Sequence, residues 1–257
     1  PGYRAGGPVR SLSNLVNALP EHFDWRVLTR DRDLRDTEPY AAVPAGQWVT
    51  VGPAQVYYAR PAELRPMAVW RQLRQVRPDL LYLNSFFSPR FSLWPTLAAW
   101  LNLLPGTALL VAPRGEFSPG ALAIKPGRKK ALLELSRLLG LHARVAWHAS
   151  TEEEAEDIRR ALGRRTGAIH VARNLGAVPA PPPEAPAGDL AVGHPRQLAP
   201  LRVCFLSRVS RMKNLDYALK VLAQVRVPVH FTIYGPQEDP AYWAECQALA
   251  TALPPHV

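Results

Sequence analysis

The stretch LSRVSRMKN, residues 206–214, decides the fold prediction because it places Arg208 and Lys213 between a strand and a helix. The four apolar residues at 203–206 are typical of a strand covered on both faces in a parallel sheet. Such sheets bind ligands at the carboxyl ends of their strands. Arg208 and Lys213, next to a helix predicted to be capped by Asn214, therefore indicate an anion-binding turn. Two solvated surface cations would give the same pattern.

Composition and charge limit what the protein can be. The 257 residues are 47% hydrophobic, which is enough for two packed domains. The formal net charge of +10 favours nucleic acid, an anionic membrane surface or a phosphorylated substrate as partner. Cys204 and Cys246 provide neither a disulfide framework nor a cysteine metal site, so a reducing cytoplasm fits best. The sequence has no evident metal-ligand cluster, and neither a metal nor a cofactor is expected.

One uncharged stretch, residues 91–113, is long enough to span a bilayer. Pro105 and Gly106 divide it into a helix-like half at 92–104 and a strand-like half at 107–112, each too short to cross alone. We therefore expect a buried α/β core here rather than a transmembrane helix.

Strands and helices alternate along the chain, which predicts an α/β fold with parallel sheets. Composition then predicts a first domain at 1–176, a proline-rich linker at 177–200 and an incomplete second domain at 201–257. The clearest helix, at 151–163, follows Ser150, which with Glu153 has the spacing of a capping box. The other predicted helices are 9–19, 62–76, 92–104, 125–139, 215–225 and 242–253, and the predicted strands are 25–29, 48–51, 80–83, 107–112, 144–150, 168–172, 203–206 and 229–234.

The order of these parts resembles the retaining glycosyltransferases of family 4. Residues 1–7, PGYRAGG, resemble the family's glycine-rich loop, and residues 112–122 resemble a turn common in members that assemble polysaccharides. His148-Ala149-Ser150 before the acidic helix also matches, and SRVSRMKN is the most specific match. The resemblance covers nearly the whole chain. It implies the GT-B fold, in which two Rossmann-like doubly wound domains enclose an active-site cleft.

The resemblance also implies a donor, an acceptor and site residues. The implied reaction transfers a sugar from a nucleotide-sugar to a glycan or lipid-linked acceptor, with retained configuration and without an obligatory metal. Its implied role is the assembly of a cell-surface polysaccharide. The departing diphosphate needs fixed positive charge, and an arginine fork with a lysine point charge provides it. The implied residues are Arg208, Lys213, Gly6 and Gly7 at the donor diphosphate, Gly235 and Pro236 on the nucleotide side, and Arg114, Gly115, Asn84 and His148 on the acceptor or sugar side.

Several of these residues also have a purely structural interpretation. Gly6 and Gly7 could form a plain turn, and Arg114 could be a surface arginine that happens to follow a strand. A histidine at a strand end, such as His148, is more often a satisfied structural residue than a ligand-binding one. The same applies to Asn84.

Two features depart from the family pattern. The strand expected before the glycine-rich loop is absent, which predicts exposed apolar neighbours in its sheet. No two glutamates have seven residues between them, as the family's donor motif requires. We therefore expect a chain truncated at both ends that does not transfer sugar by itself, although its full-length parent does. A non-catalytic relative that binds an anion or a sugar nucleotide would explain the same features.

The basic segment at 125–141 is relevant to where in the cell the protein lies. Its cations and leucines suit docking on an anionic membrane, where lipid-linked acceptors lie, or alternatively a helix whose leucines pack inward. The expected location is the cytoplasm, at the inner face of the membrane if the segment docks. The sequence has no zinc-finger spacing, recognition helix or aromatic-basic motif, so no nucleic acid partner is expected.

Overall fold

The computed structural model describes residues 2, 6–124, 126–163, 166–177 and 200–257. The chain splits into two compact units whose boundary falls within the stretch 178–199. The predicted proline-rich linker at 177–200 therefore lies almost wholly outside the described residues. So do Pro1, Tyr3, Arg4 and Ala5 of the predicted glycine-rich loop, and Lys125 of the basic segment.

The first unit alternates strands and helices, which confirms the predicted α/β class. A 3₁₀ turn at Pro61–Leu64 and a π-helical turn at Pro89–Leu93 precede two of its helices. The helices are α1 (Gly7–Ala18), α2 (Pro66–Val76), α3 (Trp94–Trp100), α4 (Pro119–Leu122), α5 (Pro126–Leu139) and α6 (Glu152–Leu162). The strands are β1 (Trp25–Arg30), β2 (Trp48–Val51), β3 (Ala54–Ala59), β4 (Leu80–Asn84), β5 (Ala108–Ala112), β6 (Val145–Ala149) and β7 (Ile169–Val171).

The strands of this unit form two sheets rather than one doubly wound sheet. One sheet has the order β4-β5-β6-β7, with every pair parallel. The other has the order β1-β3-β2, in which β1 and β3 are parallel and β2 is antiparallel to β3. Among the described residues no strand pairs with the second side of β1 or β4, so each is an edge strand. Leu80 at the start of β4 is 46% exposed.

Strand β3 is absent from the sequence prediction, although it is mostly buried. Four successive residues, Val56 to Ala59, are buried, so the alternation of apolar and polar residues that signals a half-exposed strand is lost. The division of the apolar stretch at 91–113 was predicted correctly, because α3 and β5 lie on either side of the bend at Pro105 and Gly106. No helix in the described ranges is long and apolar enough to cross a membrane.

The second unit contains two β/α pairs. Its strands are parallel, and its core consists of Val209, Leu215, Leu219, Tyr242 and Cys246 with partly buried strand residues around them. A 3₁₀ turn at Arg211–Lys213 follows the first strand. The elements are β8 (Leu201–Leu206), α7 (Leu215–Leu222), β9 (Val229–Tyr234) and α8 (Pro240–Thr251).

The prediction that β8 is covered on both faces is wrong. Phe205 packs against the core, whereas Cys204 is exposed and Leu206 is 80% exposed. Successive side chains of a strand point to opposite faces, and the core that α7 and α8 contribute covers one of them.

The core of the first unit contains a buried histidine. His142 is 5% exposed and packs against Phe86 and Trp147, with ring centroids 5.3 and 5.4 Å away. Within the described residues neither ring nitrogen of His142 has a hydrogen-bond partner. Burial in this aromatic setting lowers the pKa of His142 from 6.5 to about 4.

This pKa predicts an acid-sensitive fold. Between pH 6.5 and about 4 the unfolded state binds more protons than the folded state, so stability is full above pH 6.5 and falls as the pH decreases. We expect a loss of about 3 kcal/mol across this window and a much smaller loss in His142→Phe. Urea unfolding at pH 7 and pH 4.5 measures it, with the exposed His22→Phe as control. An unaltered pH dependence in His142→Phe would contradict the assignment.

Candidate functional site at the carboxyl edges of the sheets

The carboxyl ends of β4 and β5 bring two predicted residues into contact. Asn84 ends β4 and is paired with Ala112 of β5, so the turn after β5 starts beside it. Arg114 in that turn donates from Nε and Nη2 to Asn84 Oδ1, at 3.0 and 2.8 Å. Parallel pairing therefore places a guanidinium and an amide at one sheet edge, where ligands of such sheets bind.

Tyr82 links this pair to His148 on β6. Tyr82 Oη accepts from Arg114 Nη2 at 3.0 Å and lies 2.5 Å from His148 Nδ1. His148 Nε2 lies 2.7 Å from the carbonyl oxygen of Ala172, which can only accept, so Nε2 donates and Nδ1 accepts from Tyr82. Burial raises the pKa of Tyr82, which keeps its proton in place for this bond. Both nitrogens of His148 are thus engaged inside the protein.

Arg114 also reaches the segment after β7. Its Nη1 donates to Asn174 Oδ1, and Leu175 in the same segment accepts from Asn14 Nδ2 of α1 at 2.9 Å. The backbone of Arg114 has φ 58°, a left-handed value that is uncommon for residues other than glycine. The loop therefore holds this arginine in an unusual conformation, and its guanidinium contacts two other segments, β4 and the segment after β7.

Glu154 holds the turn on the other side of Arg114, and sequence analysis missed it. Its Oε1 accepts from the backbone N of Gly115 at 2.7 Å, and its Oε2 accepts from the N and Oγ of Ser150 at 2.7 and 2.6 Å. The cap of α6 is Thr151, whose hydroxyl accepts from Glu154 N at 3.2 Å. The predicted capping box of Ser150 and Glu153 is therefore wrong by one residue, because three consecutive glutamates make its register ambiguous from sequence.

Glu116 is a second carboxylate missed by sequence analysis. It accepts from Ser85 Oγ at 2.6 Å and from the backbone N of Phe86 and Phe87 at 2.5 and 3.1 Å. Ser85 has φ 99°, another left-handed value, so strained backbone occurs in both loops of this edge. Among the described residues no group of three or more His, Cys, Asp or Glu side chains could hold a metal ion.

Gly6 and Gly7 lie at the start of α1 and apart from these contacts. Gly6 has φ 68°, which glycine adopts without strain, and its carbonyl accepts from Arg10 N at 3.4 Å. Among the residues that the structure describes, none has a heavy atom within 4 Å of a Cβ added at either glycine. Asn14 of α1 donates to Leu175 O, next to the Asn174 that Arg114 contacts.

In the second unit, the loops after β8 and β9 are joined by backbone hydrogen bonds. Ser207 N donates to Tyr234 O at 3.0 Å, and Val209 N donates to Pro236 O at 2.9 Å. Gly235 has φ 149°, and a Cβ there would lie 1.9 Å from the carbonyl oxygen of Ser207, so the close approach requires glycine. Arg208 and the predicted nucleotide-side residues Gly235 and Pro236 therefore occupy neighbouring loops.

The two predicted diphosphate cations differ in their surroundings. Arg208 Nη1 donates to both carboxylate oxygens of Glu238, at 2.9 and 3.1 Å. Lys213 ends the 3₁₀ turn and is exposed, and no contact in the described part of the chain joins it to Arg208.

Asn214 does not cap α7 with its side chain, contrary to prediction, because it adopts φ 53°. Tyr242 Oη instead accepts from Asp216 N in the first turn, at 3.0 Å.

Comparison with known proteins identifies the family. A family model described as a glycosyl transferase 4-like domain matches residues 6–174, which is more than half of the chain. The matched range begins at Gly6 and includes Asn84, Arg114 and His148. A search of curated proteins with the sequence finds no match. The mixed α/β architecture with parallel strands is consistent with a Rossmann-like domain of a GT-B glycosyltransferase. The chain therefore belongs to the glycosyl transferase 4-like family.

Proposed function

We propose that the protein is a glycosyltransferase, or part of one, that moves a sugar from a nucleotide-sugar to a glycan or lipid-linked acceptor with retained configuration. The observation that carries the proposal is the convergence of Asn84, Arg114 and His148 at one sheet edge, inside the range that matches the family. In this proposal residues 1–176 hold the acceptor or sugar and residues 201–257 begin the donor-binding domain. The pathway we favour is assembly of a cell-surface polysaccharide.

On the donor side, Arg208 and Lys213 supply positive charge for the diphosphate. The loop of Arg208 is hydrogen-bonded to the loop of Gly235 and Pro236, so a nucleotide diphosphate at this edge would meet both. Fixed cations act most strongly where charge develops on the leaving diphosphate. Gly6 and Gly7 at the start of α1 stay in the proposal as donor-diphosphate residues, because free backbone N–H groups at a helix start attract anions.

On the acceptor side, Arg114 is held rigidly and presents a pre-oriented donor group. Tyr82 fixes one nitrogen of the guanidinium, and His148 fixes Tyr82 in turn. Glu154 binds Gly115 N and so fixes the backbone after Arg114. Preorganised donors of this kind lose little freedom when a sugar hydroxyl binds, which favours recognition.

The chain has no counterpart of the family's paired donor glutamates. We therefore propose that residues 1–257 bind a donor without completing transfer, and that a longer protein catalyses it. A non-catalytic relative that binds sugar nucleotides is the second candidate, because the same cations would serve it. Nucleotide release and acceptor glycosylation by an extended protein would distinguish the two.

The donor assignment predicts the effect of removing its cations. Arg208→Ala should weaken binding of UDP, GDP or ADP about tenfold or more, since a charge-assisted hydrogen bond contributes about 1.5–3 kcal/mol. Lys213→Ala should act in the same direction. Calorimetry on the full chain measures both. Arg226→Ala removes an equal charge just before β9 and should leave binding unchanged; equal loss in all three variants would reject a specific site.

The acceptor assignment predicts that Tyr82 controls the tautomer of His148. In Tyr82→Phe the ring nitrogen Nδ1 loses its donor, and we expect a fall of about 1 kcal/mol in stability with a shift of the His148 ¹⁵N resonances. Tyr58→Phe is the control, since within the described residues its hydroxyl has no observed hydrogen bond. Unchanged His148 resonances in Tyr82→Phe would contradict the hydrogen-bond chain.

The basic segment supports a proposal about location. Leu133 and Ser136 on α5 are buried, whereas Leu135 and Leu138 are 50% and 78% exposed, so the leucines do not all pack inward. Lys129 contacts Ala121 O and the ring of Phe87. Its neighbours on α5 are exposed and available for phospholipid head groups: Arg128 and Lys130. We propose that α5 docks the protein on the inner, anionic face of the membrane.

Docking predicts binding to vesicles that contain phosphatidylserine and little binding to neutral vesicles. Replacing Arg128 and Lys130 by glutamate should reduce sedimentation with anionic vesicles at least fivefold, since each cation contributes about 1 kcal/mol near such a surface. Lys220→Glu in the second unit is the control. Equal binding to both vesicle types, or to neither, would reject electrostatic docking.

A further inference from the structure

Glu238 forms an ion pair with Arg208, the arginine that the proposed donor site requires. One nitrogen of Arg208, Nη1, contacts both carboxylate oxygens of Glu238, at 2.9 and 3.1 Å. The Arg208 side chain is 49% exposed and that of Glu238 is 24% exposed. The pair therefore lies at the surface of the carboxyl edge, where an incoming anion can reach it.

The position of Glu238 is fixed by the backbone around it. Glu238 N donates to Val209 O at 3.3 Å, and Val209 N donates to Pro236 O at 2.9 Å. Val209 is 1% exposed and anchors the loop of Arg208 in the core. The carboxylate is thus held beside Arg208 by the same backbone pairing that joins the two loops.

We propose that Glu238 acts as an internal anion that holds Arg208 in the absence of ligand and is displaced by the donor diphosphate. This inference rests on the proposed donor site at Arg208. A carboxylate carries one charge and two acceptor oxygens, whereas a diphosphate carries more of both. The diphosphate therefore binds the guanidinium more strongly and displaces the carboxylate. An exposed ion pair contributes little free energy, which makes the exchange accessible to a ligand of ordinary affinity.

Displacement of Glu238 affects every anion that binds Arg208. The free energy needed to break the Arg208–Glu238 pair is the same for every anion that replaces Glu238. It therefore lowers the affinity of every ligand that binds Arg208 by one common factor. Removing the charge of Glu238 should therefore tighten binding of inorganic pyrophosphate and of UDP equally. From the usual contribution of exposed pairs we expect a factor of about three.

Calorimetric titration of the full chain with pyrophosphate and with UDP tests this. Glu238→Gln is compared with Glu245→Gln, which removes the same charge from the Arg211–Glu245 pair in the same unit. We expect about threefold tighter binding of both ligands by Glu238→Gln and no change by Glu245→Gln. In an Arg208→Ala background, Glu238→Gln should have no further effect.

The outcomes separate this inference from the donor-site proposal. If Arg208→Ala weakens binding but Glu238→Gln leaves it unchanged or weaker, Glu238 is a bystander or an orienting group, and the displacement idea fails alone. Equal tightening by Glu238→Gln and Glu245→Gln means that general electrostatics act, which also rejects it. If Arg208→Ala has no effect, or no variant binds either ligand, the donor site and the displacement idea fall together.

Discussion

The parallel pairing of β4, β5, β6 and β7 is the constraint on which the first candidate site depends. Because all four strands run in the same direction, the loops that follow them lie at one edge. Residues 30 and 66 positions apart then come within hydrogen-bond distance, as Asn84 and Arg114, and Tyr82 and His148, do. An antiparallel arrangement would send alternate loops to opposite edges and separate these groups.

Two carboxylates turn this edge into a rigid structure. Glu154 and Glu116 together accept from backbone N atoms in the loops after β4, β5 and β6, and from the hydroxyls of Ser85 and Ser150. Withdrawing a carboxylate from water is costly unless donors replace the solvent, and N–H and O–H groups do so here. The loops are therefore held at φ values that Ser85 and Arg114 would not adopt unaided.

In the second unit, backbone hydrogen bonds rather than carboxylates hold the loops together. Its two-stranded sheet is covered by a core on one face, and its loops are joined by backbone hydrogen bonds that need the small size of Gly235. Arg208 there pairs with a carboxylate of its own chain, unlike Arg114, whose partners are neutral amide and phenol oxygens. The displacement that we propose concerns the ion pair of Arg208, whereas neutral oxygens hold Arg114 in place.

The sequence by itself determined the local features. Alternating strands and helices, the division of 91–113 at Pro105 and Gly106, and the positions of Arg114 and Arg208 after strands all follow from periodicity, turn residues and spacing. These signals act over a few residues. The place of Arg208 and Lys213 between a strand and a helix indicated an anion-binding turn, and the family resemblance implied that the anion is a diphosphate; this site stays a prediction.

Only the tertiary structure decided which distant groups meet. It divided the first unit into two sheets, added β3, and selected Glu154 rather than Glu153 to hold Gly115. It also paired Arg208 with Glu238, 30 residues away. Such contacts depend on which strands are neighbours and in what register, and strand order is set by long-range burial and hydrogen bonding that local periodicity does not encode.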